Sequence, residues 1–158
     1  MKKVLWCVFF IVFLAGCAGP KFSGSAIEPL NNAGIVIVKD NDTRNGFLET
    51  IERWLDNHNF EYVVVSDNSK HQLDKLTLEY VGRWSWDLAL YLREARISAY
   101  HEGQRVGEVE FKAANSLNFN KFGNAEKRIS YMMDALFGER SVNEINEKLL
   151  PSQTEDTP

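Results

Sequence analysis

The chain has 158 residues, of which 44% are hydrophobic and 25% charged, and its formal net charge is −4. That length holds one domain, and the composition excludes a disordered, collagen-like or disulfide-rich chain. Ten Phe, five Tyr and four Trp supply the apolar area of a core, while the acidic balance excludes nucleic acid as a natural partner, since polyanions attract basic patches.

Lys2 and Lys3 precede an unbroken apolar run from Val4 to Gly16. Crossing a bilayer takes about 20 such residues, so this shorter run fits a secretory signal peptide over residues 1–16. It closes on Leu14-Ala15-Gly16-Cys17, which resembles the bacterial lipobox. The resemblance implies cleavage between Gly16 and Cys17, diacylglycerol on the Cys17 sulfur, and a fatty acyl chain such as palmitate on its amine. One acyl chain binds a membrane marginally, whereas two or three hold it stably. With Cys7 discarded and Cys17 lipidated, the mature chain keeps no thiol for a disulfide, a metal or a nucleophile. Residue 18 is alanine, not the aspartate of an inner-membrane retention signal, so the same resemblance implies an outer-membrane lipoprotein facing the periplasm. Two lysines leave with the leader, taking the net charge from −4 to −6.

Residues 17–33 carry Gly, Pro, Ser and Asn without an apolar period and read as a lipidated flexible tether, reaching on the order of 20–25 Å. Gly34 to Lys39 is a β-branched run suited to a strand. Phe47, Leu48, Ile51, Trp54 and Leu55 fall on one helical face, and Asn57 and Asn59 are suited to stop that helix. Tyr62 to Val65 follows as a strand, and strand–helix–strand with short links predicts a parallel crossover. Leu76, Leu78, Tyr80, Trp84 and Trp86 alternate with Thr77, Glu79, Arg83, Ser85 and Asp87, the pattern of a strand with one buried and one solvated face. This assigns both tryptophans of Arg83-Trp84-Ser85-Trp86-Asp87 to the core. Beyond them the phase changes, which requires a reversal or bulge between Trp86 and Glu94. Glu102-Gly103 marks a hairpin turn, and Val106 to Phe111 returns as a strand. Asn124 is placed to cap a helix that ends at Gly138; a weaker helical pattern covers Val142 to Leu150, and 151–158 reads as a polar, disordered tail.

The predicted fold is therefore α/β (α+β). One domain over 34–150 has a mixed sheet of four or five strands with two helices on one face, in the order β-α-β-β-β-β-α.

Motifs that carry chemistry are sparse. The sequence has no Gly-rich phosphate loop, no G-x-S-x-G, no H-E-x-x-H and no C-x-x-C,. His58, His71 and His101 stand apart beside turns, whereas a metal site gathers at least three ligands. Glu108 and Glu110 share one strand face at a spacing a glycosidase could use, but the alternation sends them to solvent. Met132 and Met133 sit in an apolar helical stripe and read as core, although such a pair can also line a pliable groove. No catalytic residue, metal or cofactor is expected. Arg83, Ser85 and Asp87, on the strand's polar face, are the candidate partner surface.

The segments GFLETIERWL (Gly46 to Leu55), RWSWDLALYL (Arg83 to Leu92), AYHEGQRVGEVEF (Ala99 to Phe111) and KFG…DALFG ending at Gly138 resemble a family of small lipoproteins of Gram-negative bacteria. The order of elements is also similar to compact periplasmic lipoproteins such as the plug subunit of the lipopolysaccharide-assembly translocon. These resemblances imply a membrane-tethered, non-enzymatic binding or accessory module for an envelope protein. The alternatives are an envelope glycan or lipopolysaccharide binder, in which tryptophan faces stack on sugars, and a hydrolase.

Overall fold

The computed structural model describes residues 20–28, 34–114 and 119–149. Its strands are β1 (Lys21–Ser25), β2 (Ile35–Val38), β3 (Tyr62–Val65), β4 (Leu76–Asp87), β5 (Ala89–His101) and β6 (Gln104–Lys112). Helices α1 (Asn45–Asn57), α2 (Ala125–Leu136) and α3 (Val142–Leu149) accompany them, with a 3-10 turn at Phe119–Phe122. The strands form one mixed sheet in the order β1-β6-β5-β4-β2-β3. Gly16, Cys17 and the tail at 151–158 lie outside the described residues.

The crossover forms as its pattern predicts, with β2 and β3 paired in parallel and α1 between them in sequence. Phe47, Ile51, Trp54 and Leu55 bury one face of α1, and Asn59 takes the left-handed conformation just after it, at φ 58°. Asn124 caps α2 by accepting a hydrogen bond from the Lys127 amide at 3.0 Å. All three helices share one core with Leu76, Leu78, Tyr80, Ile97, Val109 and Phe111, which occupy a single phase of the strands. Met132 and Met133 are fully buried in it.

The expected sheet of four or five strands with two helices is wrong. Among the described residues there are six strands and three helices, in the order β-β-α-β-β-β-β-α-α. Strand β1, absent from the expected sheet, and α3, which the weaker helical pattern over Val142 to Leu150 marks but the two-helix fold omits, explain each other. Strand β1, Lys-Phe-Ser-Gly-Ser, lies within the segment read as tether and buries only Phe22, so it has no apolar alternation to announce it. Its inner edge pairs with β6. At its outer edge the Asn146 side chain of α3 accepts from the Phe22 N–H at 2.8 Å and donates to the Phe22 carbonyl at 2.9 Å. One amide side chain thus satisfies both outward backbone groups of Phe22, which an edge strand would otherwise leave open,. Gly24, at φ 138°, fits where any Cβ would stand 2.0 Å from the Glu108 carbonyl oxygen. Helix α3 starts with a capping box: the Ser141 N–H donates to Glu144 Oε2 at 2.8 Å and the Glu144 N–H to Ser141 Oγ at 3.2 Å,.

Candidate functional site

Strands β4 and β5 are longer than their neighbours, and this difference in length creates the site. Strand β2 pairs only with Leu76–Glu79 of β4, and β6 reaches only to Lys112, opposite Glu94. From Trp84 to Leu92 the two strands therefore leave the sheet as a hairpin paired only with itself. The register shifts between Arg83 and Trp84, making Arg93 the extra residue of a bulge, and the turn is at Leu88, whose φ is 62°. Both features fall in the interval where the sequence demands a reversal or bulge.

The hairpin separates residues that the alternation had grouped. Trp84 is half-buried, edge-on to Phe47 at 6.3 Å between centroids. Trp86 is 72% exposed, correcting its assignment to the core. The phase was right, but α1 covers that face only as far as Trp84, and the strand outlasts its helix layer. Across from Trp86 stands Leu90, and the tip is Leu88, 82% exposed. Neither leucine was singled out from the sequence. The phase break was the available signal, but it does not reveal that the strand leaves the helix layer.

The predicted partner residues divide in the same way. Arg83 is exposed on the helix-free face, 3.7 Å from Glu94. Ser85 is half-buried. Asp87 is bound by Lys121 of the 3-10 turn, a lysine only 3% exposed that also lies 5.6 Å from the Tyr91 ring centre. Arg128 of α2 fastens this turn to the base of the hairpin. Its guanidinium donates to the Lys121 carbonyl at 2.9 Å and the Leu92 carbonyl at 3.4 Å, and it lies 4.7 Å from the Phe111 ring centre. Burial lowers its pKa from the ordinary arginine value. Arg128 thus holds the hairpin at its base, at Leu92, and Lys121 holds it beside its tip, at Asp87.

The helix-free face inward of the hairpin is a lattice of paired charges. Arg96 lies 2.9 Å from Glu110 and 3.9 Å from Glu108. Glu108 also accepts from Arg105 at 2.7 Å and from Ser98 Oγ at 2.8 Å. His71 bridges the loop after β3 to Glu79 at 2.8 Å. Glu108 and Glu110, predicted to face solvent, do lie on the open face, half-buried among these partners. A shallow depression of about 310 Å³ runs along it, lined by Glu79, Val81, Arg83, Arg96 and Glu108 among others.

The three histidines remain apart. His58 closes α1 against Glu139 at 3.1 Å, His71 is engaged as above, and His101 ends β5. Among the described residues no three His, Cys, Asp or Glu side chains gather to hold a metal.

No protein-family model matches the chain, and no curated protein matches it.

Proposed function

We propose that this chain is an exported lipoprotein, anchored through Cys17 to the outer membrane and facing the periplasm. It serves there as a non-enzymatic binding module for an envelope protein. The observation that carries the binding role is the one-sided sheet. All three helices pack on one face, and the other presents an ordered lattice of Arg96, Arg105, Glu108 and Glu110 around Val81, an apolar side chain 40% exposed. Paired charges held in fixed positions recognise a complementary pattern with little ordering cost, and they contribute to specificity more than to raw affinity. The leader and lipobox in the sequence support the location.

A photocrosslinking residue at Val81 tests this in cells, with Glu49, exposed on the outer side of α1, as the control position. The expected result is one dominant protein adduct from 81 that is missing from 49. The same set of abundant neighbours from both positions refutes it.

Exposure of Trp86 favours one alternative, glycan binding by stacking. Its surroundings argue the other way: Leu90 lies opposite and Leu88 beside it, where a sugar would need hydroxyl partners.

A further inference from the structure

The hairpin and the chain's route from its lipid site point the same way. In the sheet register, Lys21 pairs with Lys112, Lys112 with Glu94, and Glu94 with Arg83. This row is where the amino-terminal end of β1, the end of β6 and the base of the hairpin coincide. Pro20 and Phe119 line one further depression, of about 520 Å³, and the 3-10 turn that carries Phe119 is tied by Lys121 to Asp87 near the hairpin tip. Trp86, Leu88 and Leu90 therefore project from the end of the molecule at which the chain arrives from Cys17.

Lengths agree as well. Extended strand rises about 3.4 Å per residue, so Trp86 lies roughly 10 Å, and Leu88 roughly 17 Å, beyond the Arg83 row. Twist of about 20–25° per strand slants the hairpin and shortens that reach somewhat. The four-residue link from Lys21 back to Cys17 spans at most ~14 Å. A lipid on Cys17 is thus within reach of the depth to which the hairpin extends.

Charge agrees too. An acidic protein places Lys21, Lys112 and Arg83 in that row, with Arg93 added by the bulge and Glu94 as the row's acid. Lys21 and Lys112 stand directly opposite each other, an unfavourable pairing of like charges, and the row's one carboxylate, Glu94, is also shared with Arg83 and Arg93. Finally, Leu88 holds a left-handed conformation that Gly or Asn would adopt more cheaply, although its side chain packs on almost nothing. A strained position occupied by an exposed apolar residue points to a use for that side chain.

We propose that the β4–β5 hairpin is a membrane-docking element. Trp86, Leu88 and Leu90 insert among the headgroups of the phospholipid leaflet that holds the Cys17 acyl chains, and Lys21, Arg83, Arg93 and Lys112 form a collar on its phosphates. Apolar tips with basic flanks are suited to that boundary, and tryptophan in particular settles at headgroup depth. Anchor and hairpin together fix the orientation of the domain, turning its charged sheet face sideways along the membrane. This inference rests on the lipoprotein reading, because Cys17 sets the distance.

The test uses the full lipidated chain, in which diacylglycerol on the Cys17 sulfur leaves no competing thiol. Leu88→Cys, or Gln104→Cys at the start of β6, beside the turn at the opposite end of β5 and β6, is labelled with an environment-sensitive dye. The protein is then reconstituted into phosphatidylethanolamine–phosphatidylglycerol vesicles containing spin-labelled lipid. The mass of the N-terminal peptide reports on Cys17 independently. With Cys17 acylated, the dye at 88 is expected to lose most of its emission to the spin label while the dye at 104 keeps it. Arg83→Glu combined with Arg93→Glu should weaken the loss at 88. Equal, weak quenching at both positions on an acylated chain overturns the docking role and leaves the lipoprotein reading standing. An unmodified Cys17 overturns both. A photocrosslinker at Trp86 that yields one discrete protein adduct, with 88 unquenched, assigns the tip to a protein and likewise overturns docking.

Discussion

Leu88→Asn should make the fold more stable. Leu88 sits at φ 62° at the hairpin turn, where a leucine Cβ crowds its own backbone. Left-handed backbone costs an ordinary L-residue on the order of 1–2 kcal/mol, and Asn recovers much of it through its short polar side chain. The change removes an apolar side chain that is 82% exposed, so little burial is lost in exchange. The net gain is about 1 kcal/mol, or roughly 3–5 °C in Tm for a domain of this size. Thermal unfolding of the wild-type and substituted proteins, followed by circular dichroism without membranes, measures it. An unchanged or lower Tm would refute the reasoning, because it would mean that the Leu88 side chain is packed or that its turn is relaxed. Stabilisation combined with weaker membrane engagement is the signature of a residue kept for function at a cost in stability.

Two further substitutions probe the packing that supports the site. Trp54→Phe removes the indole N–H that donates to Asp134 Oδ1 at 2.8 Å, leaving a buried carboxylate oxygen without that donor; the expected loss is about 1.5–3 kcal/mol, read as a lower urea midpoint at constant slope, and an unchanged midpoint would dispose of it. Glu144 has its pKa lowered, first by the Ser141 N–H and then by the Ser141 hydroxyl. Its capping contribution to α3 is therefore complete above the ordinary glutamate value and disappears as pH falls through the lower, folded value. Amide exchange in the first turn of α3 should accelerate over that acid range beyond its intrinsic rate, and Glu144→Gln should flatten the dependence; identical profiles for the two proteins would count against the cap.

How far the sequence could be read depended on how local each cause was. The burial pattern of α1, the left-handed stop at Asn59, the Asn124 cap and the parallel β2–β3 crossover follow from spacing and side-chain chemistry within a few residues. Strand β1 does not. Its amino acids suit a linker, and it becomes a strand because the edge of β6 offers one ladder and Asn146, 124 positions away, closes the other. The same limit applies at the candidate site. Alternation correctly put Trp84 and Trp86 on one face, yet burial depends on what covers that face at each height.

The sequence by itself carried the residues behind the proposed leader and lipobox, the phase of β4 and the need for a chain reversal after Trp86, since each is written in neighbouring residues. Only the tertiary structure decided that Trp84 goes beneath α1 while Trp86 goes to solvent, and that Lys21, Lys112 and Arg83 meet in one row. Exposure and long-range register arise from the unequal lengths of packed elements, which no local pattern contains.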